Sequence, residues 1–265
     1  MTTNSLPTTG QIEIEQFMIA VARAQRCALL LDYDGTLAPF SPDRRRAFPY
    51  EGLPELLQEI MLGGRTRIAI ITGRNAFEVS TLLRTQPVPE IWGSHGLQRL
   101  RAEGTCEMPH LDAAILQGLS EAGEWLAEHG LQDLTEYKPG SVAIHWRGLR
   151  ESSARKLREE ALQAWSPIAD RMHLSLLDFD GGLEIRIPKP DKGDVVRTIL
   201  QEMGPGIPIA YLGDDVTDEH AFDALGSRGM SILVRPERRE TRAQFWLKPP
   251  GDVLDFLEQW RQACM

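Results

Sequence analysis

The chain has 265 residues, 42% apolar and 25% charged, with 29 basic and 38 acidic side chains giving a formal charge of -9. These are globular proportions that exclude collagen-like, low-complexity and disordered classes, and at about 150 residues per domain the chain holds one large unit or two modest ones. The acidic balance argues against nucleic acid as the main partner, because phosphate backbones are held by clustered Lys and Arg.

Cys27, Cys106 and Cys264 are far apart in sequence and lack CxxC spacing, so neither a disulfide framework nor a structural zinc site is expected. No apolar run approaches the roughly 20 residues of a spanning helix. The opening MTTNSLPTTG lacks the layout of a signal peptide. A cytoplasmic protein without a membrane partner is therefore expected, with a monomer as the working assumption.

In chain order, the run at 28–33 (ALLLDY) predicts a strand, 51–62 a helix, 67–72 (RIAIIT) a strand and 75–84 a helix. Further on, 193–203 predicts a helix and 208–212 (PIAYL) a strand. The strand runs are nearly continuous in apolar residues, as in parallel strands covered on both faces. The helical runs space their apolar residues by three and four. Such alternation predicts an α/β fold with a Rossmann-like parallel sheet.

The middle of the chain reads differently. Helical stretches at 112–129 and 151–165 are each followed by a pair of strand-like runs, LTEYK with SVAIHW and HLSLLDF with LEIRI, broken at Pro139-Gly140 and Gly181-Gly182. This αββαββ order predicts a small antiparallel sheet in an inserted α+β unit at 105–187, leaving a core made of 1–104 and 188–265. No linker rich in Ser, Gly or Pro separates them.

Asp32-Tyr33-Asp34-Gly35-Thr36-Leu37 closes the first strand run. In an open α/β sheet ligands bind beyond the carboxyl ends of strands, and residues i and i+2 of an extended segment face the same side. Two carboxylates held that close need a cation or a proton between them. The bland alternative is a strand-end Asp followed by an Asp-Gly turn. A second acidic group, Gly213-Asp214-Asp215-Val216-Thr217-Asp218-Glu219, closes the run at 208–212. Taken alone it is also what a helix N-terminus attracts. Together, Asp32 and Asp214 would supply the charged oxygens that Mg2+ prefers, with Asp218 as a third or outer ligand.

DxDGT followed far downstream by GDDxTDE resembles the haloacid dehalogenase-type phosphatases, and within them the trehalose-6-phosphate phosphatases, over nearly the whole chain. The resemblance implies a Mg2+-dependent core with an inserted cap, and a phosphatase that passes through an aspartyl-phosphate. It implies that Asp32 is the nucleophile and Asp34 the general acid/base, both counted with Asp214 and Asp218 around the metal; the residues alone do not tell Asp32 from Asp34. Thr72, in Ile70-Ile71-Thr72-Gly73-Arg74, matches the position whose hydroxyl binds a phosphoryl oxygen. Lys192, in Asp191-Lys192-Gly193, matches the charge-neutralising lysine, with Lys189 a less suitable neighbour. Arg74, His95, Glu136, Lys138, His145 and Glu184 match positions near the sugar.

The sequence departs from that pattern in three places. Leu97-Gln98 follow His95-Gly96 where Ala-Glu is common, Trp146 stands for a usual Tyr, and His220 follows Glu219 where an acid is frequent. Two other readings stand beside trehalose 6-phosphate hydrolysis: action on another sugar phosphate such as mannosyl-3-phosphoglycerate, and a silent sensor of sugar phosphates. A dinucleotide-binding Rossmann protein is disfavoured because GxGxxG and GxxxxGK[ST] are absent. The basic runs Arg44-Arg45-Arg46 and Arg235 to Arg242 are expected to be solvated surface.

Overall fold

The computed structural model describes residues 9–265 apart from 42 and 180; residues 1–8, most of the stretch read above for a leader, lie outside it. The chain runs α1 (Thr9–Arg23), β1 (Cys27–Leu31), α2 (Leu53–Leu62), β2 (Thr66–Ile71), α3 (Ala76–Leu83), β3 (Glu90–Gly93), β4 (Gln98–Leu100) and β5 (Cys106–Glu107). It continues through α4 (Ala113–Glu128), β6 (Thr135–Lys138), β7 (Ser141–His145), α5 (Glu151–Met172), β8 (Ser175–Phe179) and β9 (Gly182–Arg186). It closes with α6 (Lys192–Met203), β10 (Ile209–Gly213), α7 (Glu219–Leu225), β11 (Met230–Val234), β12 (Phe245–Leu247) and α8 (Gly251–Cys264).

Two sheets organise these elements. The larger has the order β12-β11-β10-β1-β2-β3-β4-β5, parallel from β12 to β3 and antiparallel beyond. Alternate residues of β1 feed opposite cores. Leu29 and Leu31 join Leu57, Ile70, Phe256 and Trp260 on one face, while Ala28 and Leu30 join Val196, Ile199, Tyr211 and Phe222 on the other. The chain leaves β1 toward β2 on one side and returns as β10 on the other, so the topological switch, where α/β sheets bind ligands, lies at the carboxyl ends of β1 and β10.

The smaller sheet, β6-β7-β9-β8, is antiparallel throughout. One face packs Val142, Ile144, Leu183 and Ile185 against Leu119, Leu126, Leu157 and Trp165 of α4 and α5. The pleat turns Glu136, Ala143 and Glu184, which sit opposite one another across three strands, to the other face. All four strands fall inside the segment 105–187 expected for the insertion, but β5 from the same segment pairs with β4 of the larger sheet.

Helix α5 runs seven residues past its expected end at 165, through Pro167. The apolar stripe Leu157, Ala161, Trp165, Ile168 and Ala169 stays buried along it, and burial of that stripe outweighs the hydrogen bond that a proline removes. Cys27 and Cys264, remote in sequence, bring their sulfurs to 3.6 Å as free thiols beside the Thr66 hydroxyl. No helix among the described residues is long and apolar enough to cross a membrane.

Candidate active site

The two acidic motifs meet where the topology places a crevice. Asp32, Asp214 and Asp218 are all buried and each brings one carboxylate oxygen to within 4.8 Å of the others. Their approach depends on glycine. A Cβ on Gly35, whose φ is +80°, would lie 2.3 Å from Asp214 Oδ2, and one on Gly213 would lie 2.4 Å from Asp218 Cγ; any side chain there would expel a carboxylate.

Lys192, at the first turn of α6, lies between two of the three acids, with Nζ 2.7 Å from Asp32 Oδ1 and 2.8 Å from Asp218 Oδ1. Asp218 is further occupied. Tyr211 Oη donates to its Oδ1 at 2.6 Å, and the backbone N–H groups of Asp214 and Asp215 donate to its Oδ2. Its lone pairs are thus largely committed to holding Lys192 and the loop. Among the described residues, Asp32 Oδ2 accepts only from Thr36 Oγ1, at 3.2 Å, and the Asp214 carboxylate has no hydrogen-bond donor.

The electrostatics follow from this imbalance. Burial, reinforced by Asp218 and Asp34, raises Asp32 to about 7 against the pull of Lys192. Burial and then the charges of Asp32, Asp218 and Asp215 push Asp214 well above the usual carboxylate range. Burial disfavours the Lys192 ammonium, but Asp218 and Asp32 more than reverse it and keep the group charged. Three buried carboxylates against one ammonium make a donor set of hard oxygens that fits Mg2+, with Asp214 and the outer oxygen of Asp32 the free donors.

Asp34 departs from its expected place among the metal ligands. Both its oxygens are taken by Arg74, with Nε to Oδ2 at 2.6 Å and Nη2 to Oδ1 at 2.7 Å, and it lies outside the acidic cluster. The fork geometry of a guanidinium satisfies a carboxylate on its own. Arg74 also donates to Glu78 Oε1 at 2.6 Å and to the Arg44 carbonyl at 2.8 Å. Thr72 is buried just beyond β2, its hydroxyl accepting from the Arg74 N–H at 3.1 Å.

Of the expected sugar-contact residues, Glu136, Lys138, His145 and Glu184 lie on the smaller sheet and His95 reaches them from the larger unit, while Arg74 lies apart beside Asp34. Glu136 takes His145 Nε2 at 2.8 Å and an ion pair from Arg44, with Lys138 Nζ at 3.8 Å. Burial pushes the Glu136 carboxyl upward, yet the His145 hydrogen bond, the Lys138 charge and Arg44 together bring it down to about 2. Glu184 is 2.6 Å from Lys138 Nζ and 3.5 Å from His95 Nε2. Burial lowers His95 to about 4, with Arg186 and Lys138 acting the same way and Glu184 opposing. His95 comes from the larger unit, so this cluster bridges the two sheets.

Neither basic run is merely solvated. Arg44 holds Glu78 with two hydrogen bonds and Glu136 with an ion pair. Arg239 donates to the Asp215 carbonyl at 2.8 Å and to Glu219 Oε1 at 2.5 Å, clamping the second acidic loop. Sequence reading missed both because a charged loop residue carries no periodic signal of its partner. The departures at 97–98 also have uses: Gln98 Oε1 caps α3 by accepting from Ala76 N at 3.1 Å, and Leu97 packs into the apolar cluster of the smaller unit.

A sequence model of the family described as Trehalose-phosphatase matches residues 30–250. The chain belongs to the trehalose-phosphatase family. It is 33% identical over 247 residues to a trehalose-phosphate phosphatase of Mycobacterium marinum, covering 87% of this chain and 60% of that protein. It is 32% identical over 255 residues to the Mycobacterium tuberculosis trehalose-phosphate phosphatase, covering 89% of this chain and 61% of that one. The chain therefore spans about 60% of the length of these curated relatives. Among solved structures, the C-terminal domain of Candida albicans trehalose-6-phosphate phosphatase superposes with a TM-score of 0.77 at 18% identity, covering 99% of both chains. A haloacid dehalogenase-like hydrolase from Bacteroides thetaiotaomicron superposes at 0.62 with 14% identity, covering 88% of this chain and 99% of that one. This family member thus has the haloacid dehalogenase-like fold, a mixed sheet core with a separate antiparallel sheet.

Proposed function

We propose that the protein hydrolyses trehalose 6-phosphate to trehalose and phosphate through an aspartyl-phosphate at Asp32. The observation that carries this reading is the buried Asp32–Lys192–Asp218 arrangement beside the uncompensated Asp214 carboxylate, within a chain that belongs to the trehalose-phosphatase family.

Asp32 attacks phosphorus, and the P–O bond to the sugar breaks as Asp34 gives its proton to the departing sugar oxygen. Water then attacks the phosphoryl group while Asp34 takes the proton, and the P–O bond to Asp32 breaks to release phosphate. To act on either step Asp34 lets go of at least one of its two bonds to Arg74. Thr72 Oγ1 holds a phosphoryl oxygen, and Lys192 offsets charge on Asp32 and the phosphoryl group. Mg2+, held by Asp32 and Asp214 with Asp218 outside them, would stabilise negative charge on the transferring oxygens. Two displacements at a positioned nucleophile replace one slow attack by free water.

Glu136, Lys138, His145, Glu184 and His95 read the sugar hydroxyls, whose donor and acceptor pairs suit alternating carboxylates and cations; Arg74 serves the site through Asp34. Residues 105–187 act as a cap over the core of 1–104 and 188–265, excluding water. The protein works as a cytoplasmic monomer on a small sugar phosphate. The test is phosphate release from a panel of sugar phosphates with and without Mg2+. Trehalose 6-phosphate should be preferred and chelation should abolish turnover; turnover under chelation, or preference for another ester such as mannosyl-3-phosphoglycerate, defeats the reading.

A further inference from the structure

Arg44 lies in a loop of the larger unit, yet it touches the smaller sheet and the Asp34 environment at once. Its Nε and Nη2 hold Glu78 Oε1 and Oε2 at 3.2 and 2.5 Å, and its Nη1 pairs with Glu136 of β6. Glu78 shares Oε1 with Arg74 Nη1 at 2.6 Å. Arg74 in turn holds both oxygens of Asp34. Charges therefore alternate without a gap along Glu136, Arg44, Glu78, Arg74 and Asp34. The Arg44 side chain is one-third exposed, and those of Glu78 and Glu136 are less so. Arg147 over the Phe40 ring, 4.8 Å from its centroid, is a further contact between the same two units.

In such a chain each ion divides its attraction between two neighbours. When Glu136 engages Arg44, Arg44 draws less on Glu78; Glu78 then draws more on Arg74, and Arg74 grips Asp34 less. When the smaller sheet swings away, the order reverses and Arg74 tightens on Asp34. We infer that Arg44 is a positioning residue that couples the seating of the small sheet on the core to the freedom of Asp34, through Glu78 and Arg74. This deepens the phosphatase reading and rests on it for the role of Asp34.

The consequence is selective. A sugar leaving group needs a proton from Asp34 and needs the small sheet seated, whereas nitrophenolate leaves without a proton and has no sugar to read. Allosteric couplings between sites amount to about 5- to 150-fold. R44A leaves Glu78 to Arg74 alone, so Asp34 stays free while the small sheet loses its anchor on the core, and kcat/KM for trehalose 6-phosphate should fall by about that range, mainly through KM. The variant should change p-nitrophenyl phosphate turnover by no more than about threefold. R44K keeps the charge but loses the fork that spans Glu78 and Glu136, and should not restore the loss.

The deciding experiment is a double-mutant cycle of R44A and E136A, read by kinetics and by amide hydrogen exchange of the β6–β7 hairpin in the full chain. If Arg44 acts through Glu136, the double variant loses no more than the worse single variant, and each single variant speeds exchange of that hairpin. Multiplying losses, equal losses on both esters, or unchanged exchange in R44A overturn the inference. Failure of the wild-type protein to hydrolyse trehalose 6-phosphate would sink the phosphatase reading alone, since the exchange cycle decides the coupling without turnover.

Discussion

Lys192 Nζ stands 2.7 Å from Asp32 Oδ1 across 160 positions of sequence, and both side chains are almost wholly buried. A buried ammonium between two carboxylates is costly to remove on one side only, because the acids left behind are uncompensated. Replacing Lys192 with Met should destabilise the protein by about 3–5 kcal/mol and abolish turnover. Asp32→Asn keeps an acceptor for Lys192 and should fold normally, while losing about 10⁴-fold or more of its activity. Denaturant unfolding beside phosphate release separates the two, and an active D32N protein would remove Asp32 as the nucleophile.

Arg239 acts on the loop that carries Asp214, through the Asp215 carbonyl at 2.8 Å and Glu219 at 2.5 Å. Glu219 is held in addition by Thr241 Oγ1 and the Arg242 N–H. Losing an outer partner of a metal ligand costs about 10- to 100-fold in metal affinity. Arg239→Ala should therefore shift the Mg2+ concentration that half-saturates thermal stabilisation upward by that factor, with a smaller change in the melting temperature under EDTA. An unchanged Mg2+ midpoint would show that the clamp has no bearing on the metal loop.

The sequence made the acidic centre legible because each carboxylate follows an apolar strand run, and strand ends in α/β sheets converge on one crevice. Asp32, Asp214 and Asp218 needed only that rule. The pairing of Asp34 with Arg74 was not legible, since alternation along an extended segment does not foresee Arg74 arriving from the end of β2. Arg44 and Arg239 were illegible for a deeper reason: their ion pairs with Glu78, Glu136 and Glu219 are decided by tertiary convergence, and nothing local marks them. In the fold, the doubled αββ unit announced itself through its turns. The three-residue strands β4 and β12 are too short to leave a pattern.

Glu184 and Glu136 occupy one row of the small sheet with Ala143 between them, and Lys138 Nζ lies 2.6 Å from the first carboxylate and 3.8 Å from the second. Glu184 is kept well below the usual carboxylate range: burial acts against this, but Lys138 and His95 outweigh it. Glu184→Gln would turn a pure acceptor into a mixed group. It should lower kcat/KM for trehalose 6-phosphate by about tenfold or more, the size of one or two charge-assisted hydrogen bonds. The effect on p-nitrophenyl phosphate should be slight; an equal loss on both esters would assign Glu184 to folding.

His95 and Glu136 give acid sensitivity in two separate windows. His95 falls from 6.5 to about 4 on folding, with burial the main cause. Between those values the unfolded chain binds more protons than the folded one, so stability declines as pH falls from about 6.5 toward 4. Glu136 falls from 4.5 to about 2; its contribution is complete above 4.5 and is lost as pH drops from there toward 2. At pH 5 the His95 contribution costs about 2 kcal/mol relative to pH 8 while Glu136 has barely begun to act; Asp32, raised to about 7, works in the opposite direction over the same window. Urea midpoints measured from pH 8 to pH 3 should therefore show His95→Gln flattening the limb between pH 6.5 and 4 while Glu136→Gln flattens only the limb below about 4.5. If His95→Gln leaves the upper limb as steep as in the wild type, the imidazole is not held neutral against Glu184, and the contact between the two units at that point is looser than 3.5 Å implies.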